Sequence, residues 1–218
     1  MEPTPEKRRG SCGAFGRDLM GVWSLEGSSM RLFFDANELT YIAFFEGYLS
    51  EGTGGEFEAG KQAWADLQGT PPGAQVLREV EALRMLYLID DRAHFDWLCS
   101  DIAIDEVLRI RSELKRSLHY DLLDRLIEHR QDVYTEEGRK LTIHEREYLL
   151  SRLFPNISDT MKNDAEQYCE AILVEADFFL TNDAKFIKAA GTVNAGVTPM
   201  RVGELPFIAK LLPTTEIE

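Results

Sequence analysis

The stretch MRLFFDANEL, residues 30–39, joins a short apolar run to an acid and then to a helical pattern. Residues 30–34 are mostly apolar and few in number, which is typical of a buried strand, and Asp35 ends the run. Asn37 can cap the next helix through its side-chain oxygen, and apolar residues then recur at helical spacing from Leu39 to Leu49. The pattern predicts a strand that ends at Asp35 and leads into a helix.

The same alternation of strand and helix patterns continues along the chain. Short apolar runs predict further strands at residues 95–100, 176–181 and 197–202. Helical periodicity predicts helices at residues 75–92, 104–110, 119–134, 142–154, 159–175, 184–189 and 204–212. Strands separated by helices form βαβ units. We therefore expect an α/β fold, a three-layer sandwich with a mostly parallel central sheet flanked by helices.

Glycine and proline mark the expected domain limits. Residues 1–29 are rich in glycine, have no sustained period and predict a flexible N-terminal arm. Residues 30–212 form the predicted domain, and the glycine-rich residues 51–75 predict an insertion within it. Residues 213–218 remain as a C-terminal tail.

Composition excludes several classes of protein. No apolar run approaches the roughly 20 residues that cross a bilayer, and no apolar segment follows the basic residues 7–9. The three cysteines, Cys12, Cys99 and Cys169, form no CxxC pair, which favours a reducing compartment. We therefore expect a cytoplasmic protein without a membrane partner. A nucleophilic cysteine with a histidine stays open, although Cys99 and Cys169 also suit core positions.

Four acids stand where a parallel sheet would bring them together. Asp35 and Asp183 follow predicted strands, and ligands of open α/β sheets bind at the carboxyl ends of strands. Glu106 and Asp164 lie at the starts of helices that can face the same edge. Oxygen-only ligands suit Mg²⁺ or Mn²⁺, which can activate water and stabilise charge on a phosphodiester. Taken singly, each acid is more often a helix cap or a solvated carboxylate.

Three segments of the chain resemble the PIN domain, the nuclease family that includes VapC-type toxins and is related to flap endonucleases. FFDANEL, residues 33–39, resembles the opening strand of that family. SDIAIDEV, residues 100–107, is similar to its second signature. Asp164-Ala165 and ADFFLTND, residues 176–183, resemble the third and fourth acids.

This resemblance implies an endoribonuclease that uses Mg²⁺ or Mn²⁺ to hydrolyse phosphodiester bonds of single-stranded RNA. The implied metal-binding and catalytic acids are Asp35, Glu106, Asp164 and Asp183. Thr181 would help to position the last acid and Asn37 would support the first. Whether a small antitoxin protein binds the chain, and whether the chain forms a homodimer, stays open.

The chain also departs from the family pattern. Ala36 stands where the family commonly has threonine or serine. Asp105 adjoins Glu106 and is an alternative second acid, and Asp159 is a weaker rival to Asp164. The alternative function is a catalytically weak PIN-like module that binds RNA or another protein.

Charge placement predicts where RNA would bind. The net charge of −14 and the sequence pI near 4.8 disfavour a broad attraction to nucleic acid. A local basic face can still supply the attraction, with tyrosines available for base stacking. The candidate residues are Arg109, Arg111, Lys115, Arg116, Tyr120, Arg125, Arg130, Tyr134, Arg139, Lys140, Arg146, Tyr148 and Arg152. Helix faces that are simply exposed to solvent would show the same pattern of basic residues.

Overall fold

The structure is a computed structural model of the chain, and it describes residues 29–49, 71–93, 95–109 and 143–209. The predicted helix at 119–134, the tail at 213–218 and nearly all of the predicted arm at 1–29 lie outside these residues. The predicted insertion lies outside them as well, except for residues 71–75. The expected domain limits therefore stay predictions.

The described residues form four strands and six α-helices. The strands are β1 (Arg31–Phe34), β2 (Asp96–Cys99), β3 (Phe178–Leu180) and β4 (Thr198–Met200). The helices are α1 (Ala36–Leu49), α2 (Pro71–Ala93), α3 (Asp101–Leu108), α4 (Ile143–Leu153), α5 (Lys162–Leu173) and α6 (Ala184–Ala190). Two 3₁₀ helices span Asp159–Met161 and Val202–Glu204. None of the described helices has the length and apolar character needed to cross a membrane.

The four strands form one parallel sheet in the order β2-β1-β3-β4. Leu32 of β1 lies opposite Trp97 of β2 on one side and Phe178 of β3 on the other. The predicted α/β class and the parallel sheet are confirmed. The chain moves to one side of β1 to form β2 and returns to the other side to form β3. The strand order therefore reverses between β1 and β3, and ligands of open α/β sheets bind at such a reversal.

The core consists of two apolar clusters that divide the side chains of each strand. Successive residues of a strand point to opposite faces of a sheet. Leu32 and Phe34 of β1 belong to a cluster with α1, α2 and α3. Phe33 of β1 belongs to a second cluster with α5 and α6, where Tyr168 packs edge-on against Phe179 at a ring separation of 5.5 Å. The two clusters therefore pack against opposite faces of the sheet.

The first helix is capped by a different residue from the one that the sequence predicts. Helix α1 begins at Ala36, so Asn37 lies inside its first turn and is not the cap. The carboxylate of Asp35 accepts a hydrogen bond from the backbone N–H of Glu38 at 2.8 Å. Because an aspartate oxygen satisfies an N–H of the first turn well, Asp35 performs the capping that we predicted for Asn37.

Two predicted helices differ in the structure. Helix α2 begins at Pro71 and not at residue 75, because proline suits the first turn of a helix. The predicted α-helix from residue 204 is replaced by the 3₁₀ helix Val202–Glu204 and by turns through Ala209. Leu205 has an extended backbone, with φ −52° and ψ 128°. Pro206 follows it, and a residue before proline avoids the helical conformation.

Candidate functional site

Asp35 lies at the carboxyl end of β1, where the strand order reverses. Its side chain is only 1% exposed, and its Oδ2 atom has no hydrogen-bond partner among the described residues. Burial raises the pKa of Asp35 to about 6, and the charge of Glu106 adds to the rise. The Thr181 side chain and the backbone N–H groups of residues 37 and 38 oppose it. Asp35 is therefore a buried acid that is only partly compensated.

Asp164 lies in the first turn of α5, and the charges of the other three predicted acids act on it. The pKa of Asp164 is raised from 3.8 to about 7. Partial burial is the largest cause, and the charges of Asp35, Asp183 and Glu106 follow. Carboxylates disfavour each other's ionisation in this way when they lie near one another. The structure therefore brings together acids that follow β1 and β3 and acids that lie on α3 and α5.

Glu106 is held by two amide side chains of α5. Its Oε1 atom accepts a hydrogen bond from Asn163 Nδ2, and its Oε2 atom accepts one from Gln167 Nε2 at 3.4 Å. The Ser100 hydroxyl caps α3 by accepting from the backbone N–H of Ala103 at 2.9 Å, which fixes the start of this helix. Glu106 therefore faces α5 and Asp164.

The two rival acids lie elsewhere. The side chain of Asp105 is 65% exposed, and its carboxylate lies 3.9 Å from the guanidinium of Arg109. Asp159 is exposed in the 3₁₀ helix that precedes α5. Glu106 is among the main charges that raise the pKa of Asp164 and of Asp35, and Asp105 and Asp159 are not among them.

Asp183 has a structural role as well as a place among the acids. It caps α6, because its Oδ1 atom accepts hydrogen bonds from the backbone N–H groups of Lys185 at 2.7 Å and Phe186 at 3.1 Å. The backbone N–H of Asp183 itself donates to the buried Thr181 hydroxyl at 3.1 Å. Thr181 thus interacts with Asp183 through this hydrogen bond and with Asp35 through its side chain, which lowers the pKa of Asp35. The Asn37 side chain, in contrast, is exposed.

The chemistry of the donor set suits a divalent cation. Carboxylate oxygens are ligands that Mg²⁺ and Mn²⁺ prefer, and the Oδ2 atom of Asp35 has no competing partner among the described residues. Within residues 29–49, 71–93, 95–109 and 143–209, no three or more acidic, histidine or cysteine side chains stand close enough to hold a metal ion.

A second pair of buried acids was not predicted from the sequence. Glu38 is fully buried, and neither of its carboxylate oxygens has a hydrogen-bond partner among the described residues. Burial, followed by the charges of Asp35 and Glu79, raises the pKa of Glu38 well above its ordinary value. Glu38 occupies the third position of α1, where glutamate usually reaches back to the helix start in a capping box. The sequence signal therefore indicates an exposed residue.

The described cysteines are core residues. Cys99 and Cys169 are both buried. Burial raises the pKa of Cys169 to about 12, with Glu166 adding to the rise and Arg146 opposing it. Because the thiolate is the nucleophilic form, this environment disfavours a reactive cysteine.

Little of the predicted RNA face lies within the described residues. Arg146 forms a 3.6 Å ion pair with the buried carboxylate of Glu170, which links α4 to α5. Tyr148 is exposed on α4, and Arg109 and Arg152 are exposed as well. The other residues of the predicted face lie outside the described part of the chain: Arg111, Lys115, Arg116, Tyr120, Arg125, Arg130, Tyr134, Arg139 and Lys140. The predicted face stays a prediction.

Comparison with known proteins gives no match, either to a family model, to a curated protein or to a solved structure. The functional assignment therefore depends on the residues of the site and on their arrangement.

Proposed function

We propose that the protein is a PIN-like endoribonuclease that hydrolyses phosphodiester bonds of single-stranded RNA with Mg²⁺ or Mn²⁺. The proposed fold is a three-layer α/β sandwich whose central sheet carries the acids at its carboxyl edge. One observation carries the proposal: the charges of Asp35, Asp183 and Glu106 all act on Asp164 at the point where the strand order reverses.

Electrostatics explains why such a cluster needs a cation. Four neighbouring carboxylates repel one another and also repel the phosphate groups of RNA. Mg²⁺ or Mn²⁺, when bound, neutralises this charge, activates water and stabilises the negative charge that develops on the phosphodiester. Asp35 and Asp183 are the proposed direct ligands, and Glu106 and Asp164 complete the cluster.

The carboxyl groups also have a proposed role with the attacking water. One of Glu106 and Asp164 would position the attacking water, while Asp35 and Asp183 would hold the cation.

A second candidate is a catalytically weak PIN-like module that binds RNA or a protein. One observation favours it: the Oδ1 atom of Asp183 already caps α6. Cleavage assays separate this module from a nuclease because only a nuclease turns over RNA.

The test is cleavage of a labelled single-stranded RNA by the full chain, with Mg²⁺, with Mn²⁺ and with EDTA. We expect cleavage with either cation, none with EDTA, and a loss of at least about 100-fold in Asp35→Asn, since removal of one strong electrostatic contributor has effects of this size. Asp105→Asn is the matched control, because it removes an exposed acid beside Glu106, and it should cleave normally. Cleavage that persists in EDTA contradicts the proposal. RNA binding without cleavage favours the module.

A further inference from the structure

We infer that Asn163 and Gln167 are positioning residues that hold the Glu106 carboxylate in the acidic site. This inference rests on the proposed function, because it explains how one of the four acids is kept ready for a cation. It begins from a contact between two helices whose contacting residues are 57 and 61 positions apart in sequence.

The two amides lie on one side of α5. Residues four apart on a helix are neighbours, so Asn163, in the first turn beside Asp164, and Gln167, one turn later, lie on the same side. Asn163 Nδ2 donates to Glu106 Oε1, and Gln167 Nε2 donates to Glu106 Oε2 at 3.4 Å. Each carboxylate oxygen of Glu106 therefore has its own donor, and two contacts restrict rotation of the carboxylate more than one contact does.

The burial of Gln167 indicates that its amide serves a purpose. Gln167 is 0% exposed, and its Oε1 atom has no hydrogen-bond partner among the described residues. A buried polar atom without a partner destabilises the folded state. Neighbouring α5 residues Ala165 and Tyr168 belong to the core, so an apolar side chain would suit the position for packing alone. The amide does, however, supply a donor to Glu106.

Neutral donors suit a carboxylate that must also bind a cation. A lysine or arginine in the same place would pair with Glu106 and oppose an incoming Mg²⁺ through its own positive charge. An amide N–H orients the carboxylate without adding charge. Each carboxylate oxygen has about two lone-pair sites, so one hydrogen bond leaves a site free on each oxygen. The neighbouring Asp105 is exposed, and its carboxylate lies 3.9 Å from Arg109 instead.

The test measures Mn²⁺ affinity by titration calorimetry in the native chain and in variants that keep side-chain shape. Asn163→Leu and Gln167→Met each remove one donor, and loss of an outer partner of a metal ligand weakens affinity about 10-fold to 100-fold. We expect about 10-fold weaker binding in each variant, and recovery of most of the affinity in Asn163→Gln. Asn156→Leu, at an exposed asparagine outside α5, is the control and should bind as the native chain does.

The Glu106→Gln background distinguishes positioning from a general structural effect. If the amides act through Glu106, then Asn163→Leu should weaken Mn²⁺ binding no further in that background. A further loss equal to the loss in the native background overturns the inference. Asn163 is exposed, so its variant decides the question if Gln167→Met does not fold.

A metal-free measurement separates this inference from the proposed function. The side-chain amide NMR resonances of Asn163 and Gln167 should move in Glu106→Gln, and they should stay unchanged in Asp105→Asn. Unmoved resonances in Glu106→Gln overturn the inference even if Mn²⁺ binds. A native chain that binds no Mn²⁺ overturns the proposed function, and the resonances then decide the contact by themselves.

Discussion

The backbone N–H of Asp35 donates a 3.1 Å hydrogen bond to the carbonyl of Leu180, so the first acid stands level with the last residue of β3. Thr181 follows Leu180 directly, and Asp183 follows two residues later. Parallel pairing of β1 with β3 thus brings two acids from opposite ends of the domain to one edge of the sheet. Helices α3 and α5 bring Glu106 and Asp164 to the same edge.

Removing one of the clustered charges should relieve repulsion in the metal-free protein. We expect Asp164→Asn to melt at the same temperature as the native chain or higher at neutral pH, because three acidic neighbours act on Asp164. Mn²⁺ at 100 times its Kd should stabilise the native chain by about 2.7 kcal/mol, and Asp164→Asn should lose most of that gain. Asp159→Asn, at an exposed acid before α5, should keep it. Equal gains in both variants would contradict the shared site.

The metal-free protein should lose stability from this site as pH rises. The pKa of Asp164 in the folded chain is about 7, and its ordinary value is 3.8, so the folded state binds this proton more tightly than the unfolded state. The contribution of Asp164 to stability is therefore highest below about pH 4 and falls until about pH 7. Urea unfolding at pH 5 and pH 8 checks this. The free energy of unfolding of Asp164→Asn, relative to the native chain, should be higher at pH 8 than at pH 5. A lower relative value at pH 8 would contradict the account.

Replacing Glu38 by an apolar residue should stabilise the chain. Glu38 is fully buried, and its oxygens have no hydrogen-bond partner among the described residues, so Glu38→Met should raise the free energy of unfolding by about 1–3 kcal/mol at pH 8. The gain should be smaller at pH 5, because a folded pKa raised above its ordinary value lowers the stability of the native chain as the pH rises.

Glu79→Met is the matched control for Glu38→Met, because Glu79 is also buried in the same acid pair. Its Oε1 atom accepts a hydrogen bond from Gln75 at 3.1 Å, and the backbone N–H of Gly203 donates to its carboxylate. Loss of these contacts should make Glu79→Met neutral or destabilising. A Glu38→Met variant that is less stable than the native chain at pH 8 would show that Glu38 has a favourable partner.

The sequence pattern predicts much of the fold because each strand is a short apolar run that stops at polar residues. Asp35 and Asp183 were therefore recognisable as residues at strand ends. The capping role of Asp35 was missed because Asn37 is an equally good cap by residue type. The burial of Glu38 depends on α2 packing over α1, and the contact of Gln167 with Glu106 depends on α5 meeting α3. Such contacts between distant segments leave no periodic signal.

RNA binding should depend on the first basic residues of the predicted RNA face. Replacing Arg109, Arg111, Lys115 and Arg116 by alanine should weaken RNA binding and flatten its salt dependence. Each lost phosphate contact lowers the slope of log K against log salt by about 0.7 for a single strand. Binding of a labelled RNA at several salt concentrations measures the slope, and Mn²⁺ affinity should stay unchanged. An unchanged slope would place the RNA on another face.

The most direct test of the shared acidic site is an NMR titration of the Asp164 carboxyl carbon in the full chain, with and without Mg²⁺. We predict a midpoint near pH 7 in the metal-free protein, since burial and the charges of Asp35, Asp183 and Glu106 raise the pKa of Asp164 to about 7. The midpoint should fall in Glu106→Gln, and it should fall further when Mg²⁺ binds the ionised carboxylate. A midpoint near the ordinary value of 3.8, unchanged by Mg²⁺, would contradict convergence of the acids on one cation site.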